Sequence, residues 1–299
     1  MTPTALRDYA LVVTLSLIWG SSFLLIKIAI DEVPPVTMAA VRVVIAFVVL
    51  YLVVRLRGQS LAPPWGAGGR VRWGHYLVIG MLGNGIPFSL ISWAEIEITA
   101  ALAAILIGVM PVFTVVFAHG FGVERVTGPR RLAGIAAGFA GLVVLMGPAA
   151  LTEMGGAALH ELALIGGAAS YAATAVYARR LTLRLELVPL AAGSMAASAM
   201  VMVPAALILE TPWRLTPGPG AASAVAALGI VATGFASIIY FRLLASAGPT
   251  FAATVNYLIP MFGAGLGVVL LGEQVGPWEV AALVFILSGI ALVGSPVSR

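Results

Sequence analysis

Few residues in this sequence could do chemistry, and most of them stand where chemistry is hard. The chain has no cysteine and three histidines, so disulfides, thiolate metal sites and cysteine nucleophiles are excluded. His75, His119 and His160 stand near the ends of apolar segments. No nucleophile, base or ligand set converges as an enzyme would require, and neither a metal nor a cofactor is expected. What remains is a set of neutral side chains inside apolar runs: Trp19, Ser22, Asn84, Met110, Ser170, Tyr171, Thr233, Ser237, Asn256 and Tyr257. A buried amide or hydroxyl in hydrocarbon must find a partner or line water. Hydrogen bonding to a small solute is the chemistry such a set performs.

Two cations, Lys27 and Arg42, stand in similar surroundings. Lys27 lies one helical turn before Asp31, so an (i, i+4) ion pair is its plain explanation. Arg42 lies roughly 9 Å inside its segment at 1.5 Å per residue. It either snorkels toward Asp31 or Glu32, or holds a gate and attracts an anionic group such as a carboxylate.

The elements that must position these residues follow from composition. Of 299 residues, 61% are hydrophobic and 9% charged, with mean hydropathy +1.08. A soluble domain carries about 25% charged residues, so a soluble enzyme or nucleic-acid-binding domain is excluded, despite a net charge of +4. The expected class is an all-α integral membrane protein. A helical span needs roughly 20 apolar residues. Ten candidates result: 10–30, 36–54, 74–94, 98–118, 131–148, 161–179, 187–209, 221–242, 250–271 and 278–295. None alternates in polarity as a barrel strand would. The first span is too long, and contains Lys27, for a cleaved signal peptide.

With the N-terminus in the cytoplasm, the short loops sort by charge. Thirteen of the cations, among them Arg7, Arg55, Arg72, Arg131, Arg180 and Arg299, fall inside; only Arg214 falls in an outer loop. That is the positive-inside bias of a multi-pass protein of the cytoplasmic (inner) membrane with both termini cytoplasmic. Nine of the twelve acids, including Glu95, Glu210 and Glu273, fall outside.

The two halves repeat. Displaced by half the chain length, Gly80 meets Gly229, Gly85 meets Gly234, Ala103-Ala104 meets Ala252-Ala253, Pro111 meets Pro260, and Glu124 meets Glu273. The expected units are five-helix repeats over 1–149 and 150–299. Because five is odd, the second enters the bilayer from the opposite side. Ten transmembrane helices as two inverted repeats are a common architecture of secondary transporters, with the site near the midplane where the halves meet. Spans 1, 3, 4, 6, 8 and 9 carry the polar and helix-breaking residues, so they are expected around a cavity. Spans 5 and 10 form the scaffold, with Gly134 and Gly138 at a close-packing spacing. Pro111 and Pro260 are candidate hinges, and Lys27 and Arg42 candidate gate residues.

Trp19-Gly20-Ser21-Ser22-Phe23, with Lys27, Pro34-Pro35 and Arg42, resembles the opening of the EamA branch of the drug/metabolite transporter superfamily. The segment from Pro111 to Glu124, and its copy from Pro260 to Gly272-Glu273, resembles that branch's repeated fourth and fifth helices. Val123 and Val43 depart from its pattern. The resemblance implies a small-metabolite transporter, and the branch includes amino-acid exporters.

The expected function is therefore alternating-access transport of small neutral or zwitterionic metabolites, amino acids foremost, in the export direction. The partners are the solute and the lipid bilayer, with no nucleic acid, and a monomer is expected rather than an obligate dimer. No acid stands in the central part of a span, so uniport or exchange is expected rather than proton coupling on a carboxylate. The alternatives are a carrier of anionic metabolites such as sugar phosphates or nucleotide sugars, a cationic-drug exporter, and more remotely a channel.

Overall fold

A computed structural model describes residues 3–63, 65–124, 128–152, 154–259, 261–262 and 277–293, and those residues form helices and turns without a strand. The helices are α1 (Pro3–Ile30), α2 (Pro35–Leu56), α3 (Gly68–Ala94), α4 (Ala100–Ile107), α5 (Met110–Gly120), α6 (Pro129–Thr152), α7 (Ala158–Thr182), α8 (Leu187–Leu209), α9 (Pro219–Ala247), α10 (Pro249–Ala253) and α11 (Pro277–Val293). Helix resumes over 255–259 after a turn at Thr254.

Five of these, α1, α2, α3, α8 and α9, are long and apolar enough to cross a membrane. Their outward faces agree: Leu24, Val48, Leu52, Met200 and Ile208 are all at least half exposed. Water would penalise so large an apolar surface, whereas lipid tails solvate it. The protein is a multi-pass helical membrane protein.

The fourth expected span is not one helix. It breaks at Gly108-Val109 between α4 and α5, and Pro111 occupies the first turn of α5. Proline fits there because the first N–H groups of a helix have no intrahelical partner to lose. Its symmetry mate Pro260, like Glu273, lies outside the described residues.

Lipid provides no hydrophobic drive between helices, so close backbone approach must hold the bundle. Helix α6 packs against α11 through facing glycines. A Cβ built on Gly134 would stand 2.7 Å from the Gly289 carbonyl oxygen, and one on Gly289 would stand 2.6 Å from the Gly138 nitrogen. In the same way α3 lies on α8, where a Cβ on Gly80 would meet the Ser194 carbonyl at 2.3 Å. Its counterpart is α9 on α2, where a Cβ on Gly229 would meet Ile45 at 2.6 Å.

Helices α3 and α9 each contain a π-helical segment, Met81–Gly85 and Leu228–Phe235. Both fall on the stretches that the half-length displacement superimposes, and they bring Asn84 into register with Thr233. A π turn disturbs the regular backbone ladder, and in each case a donor from another helix reaches a carbonyl there. Ser170 donates to the Leu82 oxygen at 2.7 Å, and Trp19 Nε1 donates to the Ala232 oxygen at 3.0 Å.

Candidate functional site

Between the helices lies a cavity of about 120 Å3. At 10–15 Å3 per water position it has room for on the order of ten waters, the size of a small metabolite. Trp19 and Ser22 come from α1, Asn84 from α3, Met110 from α5, Tyr171 from α7, Thr233 and Ser237 from α9, and Asn256 from the segment after α10. Helices α1, α3, α4, α5, α7 and α9 thus all contribute, α2 and α8 add Arg42 and Met195, and no described lining residue comes from α6 or α11. The remaining wall is mostly apolar and aromatic, with Phe23, Phe88, Tyr240 and Phe241.

Two of the expected lining residues stand elsewhere. Ser170 is occupied by the Leu82 carbonyl. Tyr257 is fully buried on the scaffold side, where its hydroxyl donates to the Ile135 oxygen at 3.0 Å and its ring fills the space left by Gly138. Tyr240 and Met195 line the cavity without having been singled out in the sequence. Tyr240 was findable, because it continues the helical stripe of Thr233 and Ser237, and its ring lies 5.5 Å from that of Trp19.

Within the cavity the polar groups differ in how far the protein satisfies them. Asn256 Nδ2 donates to the Ala253 carbonyl at 3.1 Å and contacts Met110 Sδ at 3.1 Å. Thr233 Oγ1 donates to the Leu228 oxygen and Ser237 Oγ to the Thr233 oxygen. Asn84 makes no hydrogen bond with the described residues although only 7% exposed. Its amide is left for whatever occupies the cavity.

Arg42 does not snorkel outward. It is 4% exposed and lines the cavity, with Cζ 3.9 Å above the Phe88 ring centroid and Nη2 3.4 Å from Thr233 Oγ1. Its Nε has no hydrogen-bond partner among the described residues. The acids expected to attract it are absent from its contacts. Glu32 accepts from the Gly218 N–H at 2.5 Å, and Asp31 is exposed. A buried guanidinium is expensive to leave unpaired, and a cation–π contact offsets part of that cost. The open donor remains, in a cavity whose described lining residues include no acid.

Lys27 is not paired with Asp31 either. Its Nζ donates to the backbone carbonyl of Glu95, in the turn after α3. Glu95, expected outside the central part of any span, stands at the end of α3. Its side chain is fully buried, and neither carboxylate oxygen has a hydrogen-bond partner among the described residues. Burial pushes its carboxyl above the usual range, opposed by the charges of Lys27 and Arg42.

Comparison with known proteins decides the family. The EamA-like transporter family profile matches residues 7–147 and again 159–295. The chain is a member of the EamA-like transporter family. An uncharacterized inner membrane transporter of Escherichia coli K12, YedA, is 30% identical over 284 residues, covering 93% of this chain and 88% of that protein. An uncharacterized transporter of Archaeoglobus fulgidus is 26% identical, covering 96% of each chain. The S-adenosylmethionine/S-adenosylhomocysteine transporter of Chlamydia trachomatis is 27% identical, covering 92% of this chain and 85% of that one. A solved crystal structure shares the fold, with TM-score 0.74 at 22% identity over 98% of this chain and 97% of its own. Membrane transport is thus the function class.

Proposed function

We propose that this EamA-family chain is an alternating-access carrier for small carboxylate-bearing metabolites, amino acids foremost. The observation that carries the reading is Arg42, a buried guanidinium facing a cavity with an open Nε donor and no carboxylate hydrogen-bonded to it among the described residues. A guanidinium in that position matches a carboxylate in charge and planar geometry. Asn84 and the aromatic rings around it can take an α-ammonium group, through the amide oxygen and through cation–π contacts. A single cation among the described lining residues suits a monocarboxylate better than a phosphate ester, and a described lining without an acid disfavours a cationic drug. Both compounds named for the Chlamydia relative carry an amino-acid group, which supports this reading.

For the mechanism, we read the chain as two inverted five-helix halves, 1–149 and 150–299, crossing the inner membrane ten times with both termini cytoplasmic. The double family match, the matched π segments and the paired contacts α3 on α8 and α9 on α2 support that reading. Lys27, Arg42 and Glu95 then lie toward the outer face, with Pro111 and Pro260 as hinges. Export is the proposed direction in a cell whose cytoplasm holds the higher amino-acid concentration.

The test is a panel of amino acids and other metabolites scored by thermal stabilisation of the purified protein, followed by counterflow in liposomes with each compound that binds. Saturable, trans-stimulated flux of carboxylate-bearing compounds is the expected result. Flux without saturation would indicate a channel, and preferential stabilisation by phosphate esters would replace the substrate class.

A further inference from the structure

We propose that Glu95 is a proton-binding site of the outer gate, holding a proton while the gate is closed and releasing it when the gate opens. This rests on the carrier reading above for the gate but not for the proton.

The geometry makes the case. Glu95 closes the end of α3, and Lys27 of α1 is fastened to its backbone carbonyl, so the two helices are tied at that end of the bundle. Phe88 of α3 lies under the Arg42 guanidinium of α2, which adds the third helix. Ile91, one turn before Glu95, lines the cavity. The Glu95 side chain is sealed among these elements with both oxygens bare. An ionised carboxylate in that position would lack every hydrogen bond that normally offsets removal from water.

The charged and titratable groups nearby do not supply the missing bonds. Lys27 of α1 spends a proton on the main-chain carbonyl, and Arg42 of α2 is turned to Phe88 and Thr233. From α7, His160 lies against Trp93 with ring centroids 4.3 Å apart, Tyr171 acts on Arg42, and Glu161 accepts from the Gly155 N–H. Glu97, in the same turn, is exposed. Lys27 and Arg42 are the charges that act on Glu95, and they favour its ionised form only if water or direct contact completes its shell.

Opening this end admits water and lets the carboxylate ionise beside the two cations. The closed state therefore binds the proton more tightly than the open one. By linkage, acid on the outer side favours closure and alkali favours opening. The buried direction of the Glu95 carboxyl, raised by desolvation, agrees with this sign.

Two measurements on the full chain in lipid test the site. The first is infrared difference spectroscopy of the ligand-free protein across about pH 5 to 9, with Glu95→Gln as the subtraction. A protonated carboxyl band at neutral pH that Glu95→Gln removes is expected; its absence from the wild type would overturn the proposal. The second is methionine counterflow over the same range. Wild-type flux should fall several-fold toward acid. Glu95→Gln should stay flat at the slow limit, because glutamine mimics the protonated form, and Glu95→Asp should restore a pH response. A wild-type pH profile in Glu95→Gln would overturn the gating role. Absence of methionine flux in every chain would count against the carrier reading, and the infrared band would then decide the Glu95 site alone.

Discussion

The two ends of the helical bundle treat their glutamates in opposite ways. At the end that carries His119, Glu124 follows α5 and is held on both oxygens. Oε1 accepts from Arg131 Nη1 at 2.7 Å, and Oε2 accepts from the Thr250 N–H at 3.3 Å, in the first turn of α10. The nearby cations are satisfied as well: Arg179 donates to the Leu244 and Ala245 carbonyls and Arg180 to that of Phe121. At the other end, among the described residues, Glu95 has no hydrogen bond on its carboxylate and Arg42 has an open Nε. A satisfied end is a fastening. An unsatisfied end, buried and facing a cavity, is where a ligand or proton has free energy to gain.

The largest expected effect breaks the unsatisfied end. Arg42→Ala should weaken binding of carboxylate substrates by about 2–5 kcal/mol, the usual result of truncating one partner of a buried charge pair. Isothermal titration of a compound found by the stabilisation panel would measure it. Near-wild-type affinity would mean that the guanidinium only packs on Phe88. At the satisfied end, Glu124→Ala removes a helix-end acceptor and an ion-pair partner together, and should lower unfolding stability by about 1–2 kcal/mol. Substrate affinity should stay unchanged there, as calorimetry in detergent and a binding titration would read.

Asn84→Ala sharpens the comparison inside the cavity. Its amide is free to bond the substrate, so the loss should be about 1 kcal/mol, roughly fivefold in affinity, with little change in melting temperature. A melting temperature that falls while affinity holds would make Asn84 a packing residue. The last comparison concerns pH. Because the folded state raises the Glu95 carboxyl, the stability tied to its proton is present in acid. It is lost as pH rises above the unfolded value of about 4.3 and through the raised one. Thermal unfolding of wild type relative to Glu95→Gln should therefore shift downward as pH rises. A gap independent of pH would mean that Glu95 does not titrate in that window.

Five of the expected spans were legible because apolar runs broken by charge leave few choices, and the cavity was legible because polar side chains in lipid need a reason. Asn84, Thr233, Ser237 and Asn256 line the cavity on that ground alone. Tyr257 was misplaced because the same logic cannot name the partner. Its hydroxyl is satisfied by a carbonyl 122 positions away, across a gap that only Gly138 leaves. Ser170 failed in the same way, because the π turn that frees the Leu82 carbonyl has no sequence signal that one chain displays. Glu95 was hidden for a different reason. Hydropathy reads a charged residue after a span as wet, whereas burial there depends on how α1, α2 and α7 close over the turn.

The most direct test of the central claim uses paired ligands that differ only in the group Arg42 would hold. Each amino acid in the stabilisation panel is compared with its carboxamide, in wild-type protein and in Arg42→Ala. Amino acids that stabilise the wild type should do so through their carboxylate, so their amides should have little effect and Arg42→Ala should respond to neither. Amides as effective as the acids, or an undiminished response in Arg42→Ala, would contradict the account.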